Sequence, residues 1–321
     1  MFNLQATFLK SETMKRILKG SILLMIVLLP NYLFAQQIAD TTYNPLIQNP
    51  AYESGKGPIV FIDEGHHNFH TRDGRYAAFT RLLERDGYQV KSYNGEFLKS
   101  ELSRGKILVI SNALNEINVE NWYLPNPSAF TETEIKVIRK WVKKGGSLFL
   151  IADHMPMAGA ASELAAEFGF EFSNGFVFDT TASGPAYFSL NENTLSQSII
   201  TKGRDSLESV KQIASFTGQA FKLPDDATPV LTFKENFVNL LPDTAWVFDE
   251  NTKFLSAEGW SQGAYKKYRK GRVVAFGEAA MFTAQLTGPQ SIKAGMNNDL
   301  APENYQLLLN ILHWLDVILL P

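Results

Sequence analysis

Cysteine is absent from all 321 residues. That excludes thiol nucleophiles, thiolate metal ligands and disulfides together, and leaves stability to packing alone. An excess of positive charge is missing too: 30 Lys and Arg face 33 Asp and Glu, a net charge of -3. Nucleic acid and anionic membranes are therefore poor partners. The chain has no phosphate-cradling GxxxxGK(S/T) loop, no dinucleotide GxGxxG and no GxSxG nucleophile elbow. Internal repeats and low-complexity segments are also lacking, which disfavours solenoids.

Near the N-terminus the apolar sequence is short. Lys15 and Arg16 open a positive region, Ile22 to Leu29 form an apolar stretch, and Leu33-Phe34-Ala35 precedes Gln36 with a small residue at the cleavage position. Met14 to Ala35 reads as a cleavable signal peptide, too short for a stable membrane span. Residues 1–13 read as an upstream start-site artefact, with Met14 the expected initiator. The mature protein is expected to be exported, periplasmic or secreted, and to come from a bacterium.

The rest of the chain is long enough to bury a substantial core. Residues 36–57 are polar and aperiodic, end in Gly55-Lys56-Gly57-Pro58, and are predicted to be a linker. Residues 58–321 are predicted to form one α/β domain. Apolar, β-branched runs at 58–62, 88–93, 106–111, 147–152 and 272–277 read as strands. Helical spacing predicts helices at 75–86, at 96–102, from Thr131 to Lys144, and from Glu303 to about Leu319; Thr131 and Glu134 carry a capping-box signature. Strands alternating with helices predict a doubly wound, mostly parallel sheet. Residues 170–270 lose that rhythm and read as an irregular β-rich insertion.

Open α/β sheets bind ligands beyond the carboxyl ends of their strands. Those positions are polar here: Asp63-Glu64-Gly65-His66-His67-Asn68-Phe69-His70 after the first strand, Asp153-His154 after the fourth, and Glu278 after the last. Four of the five histidines are expected at this one edge. His66, Asp153, His154 and Glu278 are the candidate catalytic groups, and Asp63, Glu64, His67 and Asn68 the candidate substrate contacts. Neutral imidazoles and carboxylates suit zinc or another divalent ion, with His66, His70 and His154 as candidate ligands, although no zinc motif has this spacing. Metal-free acid/base catalysis can use the same groups, a His as base and a carboxylic acid as proton donor. A third use is ligand binding without chemistry, with Trp122 or Trp260 stacking on a sugar. The plainer roles are turn and helix capping by the Asp and Asn residues and core packing by the tryptophans. His313, beside Trp314 in the last helix, is expected to be a satisfied core histidine.

Gly145-Gly146-Ser147-Leu148-Phe149-Leu150-Ile151-Ala152-Asp153, Gly271-Arg272-Val273-Val274-Ala275-Phe276-Gly277-Glu278 and the loop Asp63 to His70 resemble the class I glutamine amidotransferase-like superfamily, of flavodoxin-like fold. The likeness is to exported members often found in Bacteroidetes, and spans most of Pro58 to Leu319. In true amidotransferases a cysteine follows the Gly-Gly strand, and a His and a Glu follow a late strand. Here Asp153-His154 stands in the first region and Gly277-Glu278 in the second, so the resemblance excludes glutamine hydrolysis through a thioester. Cysteine-free relatives serve as binding or assembly domains, which the resemblance makes a live alternative. Two expectations follow: an exported hydrolase acting on a carbohydrate-related substrate, with or without a divalent metal, or a noncatalytic glycan-binding or envelope-assembly domain.

Overall fold

The computed structural model of the chain describes residues 37–320. The predicted signal peptide and Gln36 lie outside the described residues. Five parallel strands form one side of a nine-stranded mixed sheet: β1 (Ile59–Asp63), β2 (Gln89–Tyr93), β3 (Ile107–Ser111), β4 (Ser147–Ile151) and β5 (Gly271–Phe276), side by side in the order β2-β1-β3-β4-β5 with β2 at the edge. Except in the edge strand β2, their apolar runs are nearly continuous because both faces are covered. Alternate residues serve alternate faces: Val60, Ile62, Val109, Phe149 and Phe276 pack into one core cluster, and Phe61, Leu108, Leu150 and Ala275 into the other.

The first face is covered by α1 (Ala77–Arg85) and by the C-terminal helix. The second is covered by α2 (Glu132–Lys143) and α3 (Met157–Ala166), with Ile135, Ile138, Val142 and Leu164 facing in. Phe79, Leu82 and Leu83 of α1 follow the predicted helical spacing, and Gly87, at φ +95, ends the segment in a conformation that favours glycine. The Thr131–Glu134 capping box at the start of α2 is present in both directions. The last helix, α4 (Asn304–Leu315), carries Leu307, Leu308, Ile311 and Leu312 into the core. His313 Nε2 donates to the Asp86 carboxylate at 2.7 Å in a fully buried pair, as a core histidine.

Two segments differ from the sequence reading. Of residues 36–57, read as a linker, the described residues 37–57 are docked on the fold: Gln37–Ala39 pairs antiparallel with Gln285–Thr287, the Asp40 carboxylate accepts from Asn297, and the Tyr52 hydroxyl donates to Asp316. Polar sequence concealed this, because the docking combines hydrogen bonds with scattered apolar contacts from Tyr43, Ile47, Ala51 and Tyr52 that follow no helix or strand period. Residues 170–270, read as an irregular β-rich insertion, are rich in short strands, and part of the segment extends the main sheet. Ser261–Tyr268 pairs antiparallel with β5, and Phe221–Lys222 and Thr228–Thr232 pair with it in turn. A separate three-stranded sheet, Phe176–Asp179 with Phe237–Leu241 and Lys253–Ser256, stands over the carboxyl ends of the parallel strands near His154. No helix among the described residues is long and apolar enough to cross a membrane.

Candidate functional site

β1 ends in Asp63, which is fully buried. Its Oδ1 accepts from the Gly65 amide at 3.1 Å and lies 2.9 Å from His66 Nδ1, and its Oδ2 accepts from Asn68 Nδ2 at 2.9 Å. The opposite ring nitrogen, His66 Nε2, lies 2.9 Å from Oε1 of Glu134, whose Oε2 is held by Thr131 in the α2 capping box. Phe97 stacks on the imidazole at 4.5 Å. Burial opposes charge on His66, but the hydrogen bonds and charges of Asp63 and Glu134 outweigh it and raise its pKa. His66 is thus an imidazolium clamped between two carboxylates, with both nitrogens used. Of the predicted substrate contacts, Asp63 and Asn68 are spent building this loop, and Glu64 accepts from the Arg72 amide at 2.7 Å. His67 alone of that set is exposed, at φ 49.

β4 and β5 bring Asp153 and Glu278 together, as their strand positions imply. Glu278 is buried and Asp153 partly so, and each is tied to backbone amides of the turn after β5: Asp153 accepts from the Ala279 amide, Glu278 from those of Ala280 and Met281 at 2.8 Å. Asn112 at the end of β3 completes the clasp. It donates to Asp153 Oδ2 at 2.8 Å and accepts from the Asp153 amide at 2.9 Å. Burial pushes the Asp153 pKa up to about 6 against these hydrogen bonds, and burial with the Asp153 charge raises Glu278 well above the usual carboxylate range. The pair favours holding a proton between its members, as like charges in a dry site do.

His154 faces a different neighbourhood. Nδ1 donates to the Met155 carbonyl at 2.7 Å, which fixes the tautomer. Its ring stacks on Phe176 at 4.1 Å and meets Trp246 edge-on at 4.8 Å, with Trp122 at 6.2 Å. Burial lowers its pKa to about 4, leaving it neutral and a weak base near neutral pH. Around this ring the surface is aromatic and open: Trp246 is 48% exposed and Tyr123 50%. The loop at 119–126 and the turn after Phe237–Leu241 hold each other through the Ala245 amide to the Trp122 carbonyl at 2.8 Å and the Leu124 amide to Asp243 at 2.9 Å. Trp122 therefore belongs to the site. Trp260 does not: it packs against the core beneath Lys222, whose Nζ is 5.1 Å from the ring.

His66, His70 and His154 are not brought together as a metal centre. Among the described residues no group of three or more His, Asp or Glu is placed to hold an ion. The reason is local: Asp63 and Glu134 take His66, aromatic rings enclose His154, and His70 turns under Tyr76, 4.7 Å between rings. Sequence reading missed Glu134, Asn112, Arg75, Tyr123 and Trp246. The capping-box pattern pointed to Glu134, but only as a helix cap. Two cavities lie away from this edge, about 370 Å³ lined by Lys140, Lys143, Lys144 and Lys270, and about 30 Å³ lined by residues including Ile47, Arg204 and Tyr305.

No family model matches the chain, and no curated protein matches it. Solved structures do resemble it. The N-terminal domain of mmIFT52 is 14% identical, with a TM-score of 0.56 over 80% of this chain and 97% of that one. The likeness is one of fold. Cytoplasmic protein STM3548 from Salmonella typhimurium is 14% identical over 80% of this chain and 98% of its own, TM-score 0.43. A cold-adapted β-galactosidase from Rahnella sp. R3 is 10% identical over 81% of this chain and 32% of its own, TM-score 0.42.

Proposed function

We propose that the chain is an exported, noncatalytic carbohydrate-binding module of doubly wound, class I glutamine amidotransferase-like fold, whose ligand lies on the aromatic rim formed by Trp122, Tyr123 and Trp246. Export rests on Met14 to Ala35 alone. The doubly wound reading draws support from the β2-β1-β3-β4-β5 order with helices on both faces. One observation carries the binding reading: the titratable groups at the strand ends are occupied by the protein's own hydrogen bonds, while the indole of Trp246 stands half exposed beside them. Flat aromatic faces bury the apolar face of a sugar ring at little entropic cost, and the surrounding loops supply polar groups for its hydroxyls.

Affinity electrophoresis against a panel of soluble polysaccharides, followed by calorimetry with oligosaccharides, tests this. Trp246→Ala is expected to weaken binding about tenfold, as for a central aromatic anchor. Absence of binding across the panel would refute the proposal.

The hydrolase reading retains one specific support, the Asp153–Glu278 pair with raised pKa values, since a carboxyl that keeps its proton at neutral pH can act as a general acid. Release of reducing ends from a bound polysaccharide, abolished in Glu278→Gln with binding retained, would establish it over the noncatalytic reading. A divalent ion would need ligands other than the predicted histidine set.

A further inference from the structure

Arg75 and His70 lie on the segment that leads from the β1 loop into α1, and both are electrostatically incomplete. The Arg75 guanidinium lies 3.7 Å over the Phe69 ring and donates from Nη1 to the Phe69 carbonyl at 3.3 Å. Its Nε is buried without a partner, and no carboxylate among the described residues pairs with it. Arg72, Arg104, Arg139 and Arg204 pair with carboxylates, and the buried Arg272, which also lacks one, donates to the Trp314 and Leu319 carbonyls; Arg75 differs in keeping a buried Nε without a partner. His70 is 3% exposed, and its Nδ1 likewise has no partner. Unpartnered buried polar nitrogens are costly; Asn239 Nδ2 and His313 Nδ1 are others in this fold, but only at Arg75 and His70 do two stand together beside a fixed positive charge, which matches one missing anionic group. Phe69 links them to the aromatic rim, since its ring also meets Trp122 at 5.8 Å.

We propose that the missing group is a carboxylate of the ligand, so that the rim takes an acidic sugar of the uronic type, with its carboxylate on Arg75 and His70 and its ring toward Trp122. The inference rests on the carbohydrate-binding reading and adds the charge of the sugar. A planar guanidinium suits a carboxylate because it offers parallel donors in one plane. The protein's net charge of -3 gives no long-range attraction for such a ligand, so recognition falls to this one local cation.

Calorimetry with trigalacturonate and neutral galactotriose on the full mature chain tests it. The acidic trisaccharide is expected to bind at least tenfold more tightly, an advantage lost in Arg75→Gln and partly kept in Arg75→Lys, each checked for an unchanged thermal midpoint. Trp246→Ala should weaken both sugars. Trigalacturonate should also shift the ¹⁵N resonances of the His70 ring, where galactotriose leaves them in place. Equal affinity for the two sugars, unaltered by Arg75→Gln but reduced by Trp246→Ala, overturns the carboxylate site and leaves the carbohydrate reading standing. Binding of neither trisaccharide also overturns the carboxylate site, and the wider polysaccharide panel then judges the carbohydrate reading separately.

Discussion

At the scale of single residues, His66 shows how little a residue type says about its use. A histidine in an Asp-rich loop at a strand end invites a catalytic or metal-binding reading, yet Asp63 and Glu134 convert it into a buried cation. Removing the imidazole leaves two carboxylates facing each other without their counter-ion. His66→Gln is expected to cost about 3 kcal/mol at pH 6, measured by urea denaturation. The folded-state pKa lies above the unfolded value near 6.5, so this stabilisation is complete below that value and is lost as pH rises through the raised folded value. Wild-type stability should therefore fall as pH rises above about 6.5, and His66→Gln should flatten the fall. His154 has the opposite sign: with a folded pKa near 4, it contributes stability at neutral pH that disappears as pH drops from about 6.5 toward 4. His154→Phe should lessen acid destabilisation in that range, and an unchanged acid profile would contradict a buried neutral imidazole.

Elements are where local sequence and tertiary contact meet. The α2 capping box was legible because Thr131 and Glu134 have the right spacing and chemistry. That Glu134 also reaches His66, 68 residues earlier, could not be seen, since nothing local encodes a distant partner. Thr131→Ala should cost about 1 kcal/mol. Combined with His66→Gln, the loss should fall short of the sum, because both changes act through one carboxylate. A double-mutant cycle by equilibrium denaturation reads this directly, and strict additivity would separate cap from clamp. Gly218 governs another junction. It sits at φ +113, and a Cβ there would come 2.1 Å from the Gly277 carbonyl, directly before Glu278. Gly218→Ala should lower stability by about 2 kcal/mol and disturb the Glu278 turn. A neutral thermal melt would refute that tight approach.

For the whole molecule, the segment before β1 is part of the folded unit. Deleting residues 36–57 would remove the Asp40–Asn297, Ala51–Asp86 and Tyr52–Asp316 hydrogen bonds and the edge strand Gln37–Ala39. A loss of at least about 2 kcal/mol, some 4 °C or more in thermal midpoint, is expected. An unchanged midpoint would restore the linker reading. By itself, the sequence determined the five parallel strands, their helices and the polar edge, because burial on two faces and helical spacing are written into short stretches of neighbouring residues. It also put Asp153 and Glu278 at that edge, since β4 and β5 are adjacent and each delivers its next residues to the same end. Tertiary structure alone decided which groups stayed free. Asn112 and the turn amides engage the carboxylates, Glu134 closes on His66, and Trp246 arrives from more than 90 residues beyond the strand that carries His154. Availability for a ligand depends on what each side chain meets after folding, and those partners lie far away along the chain.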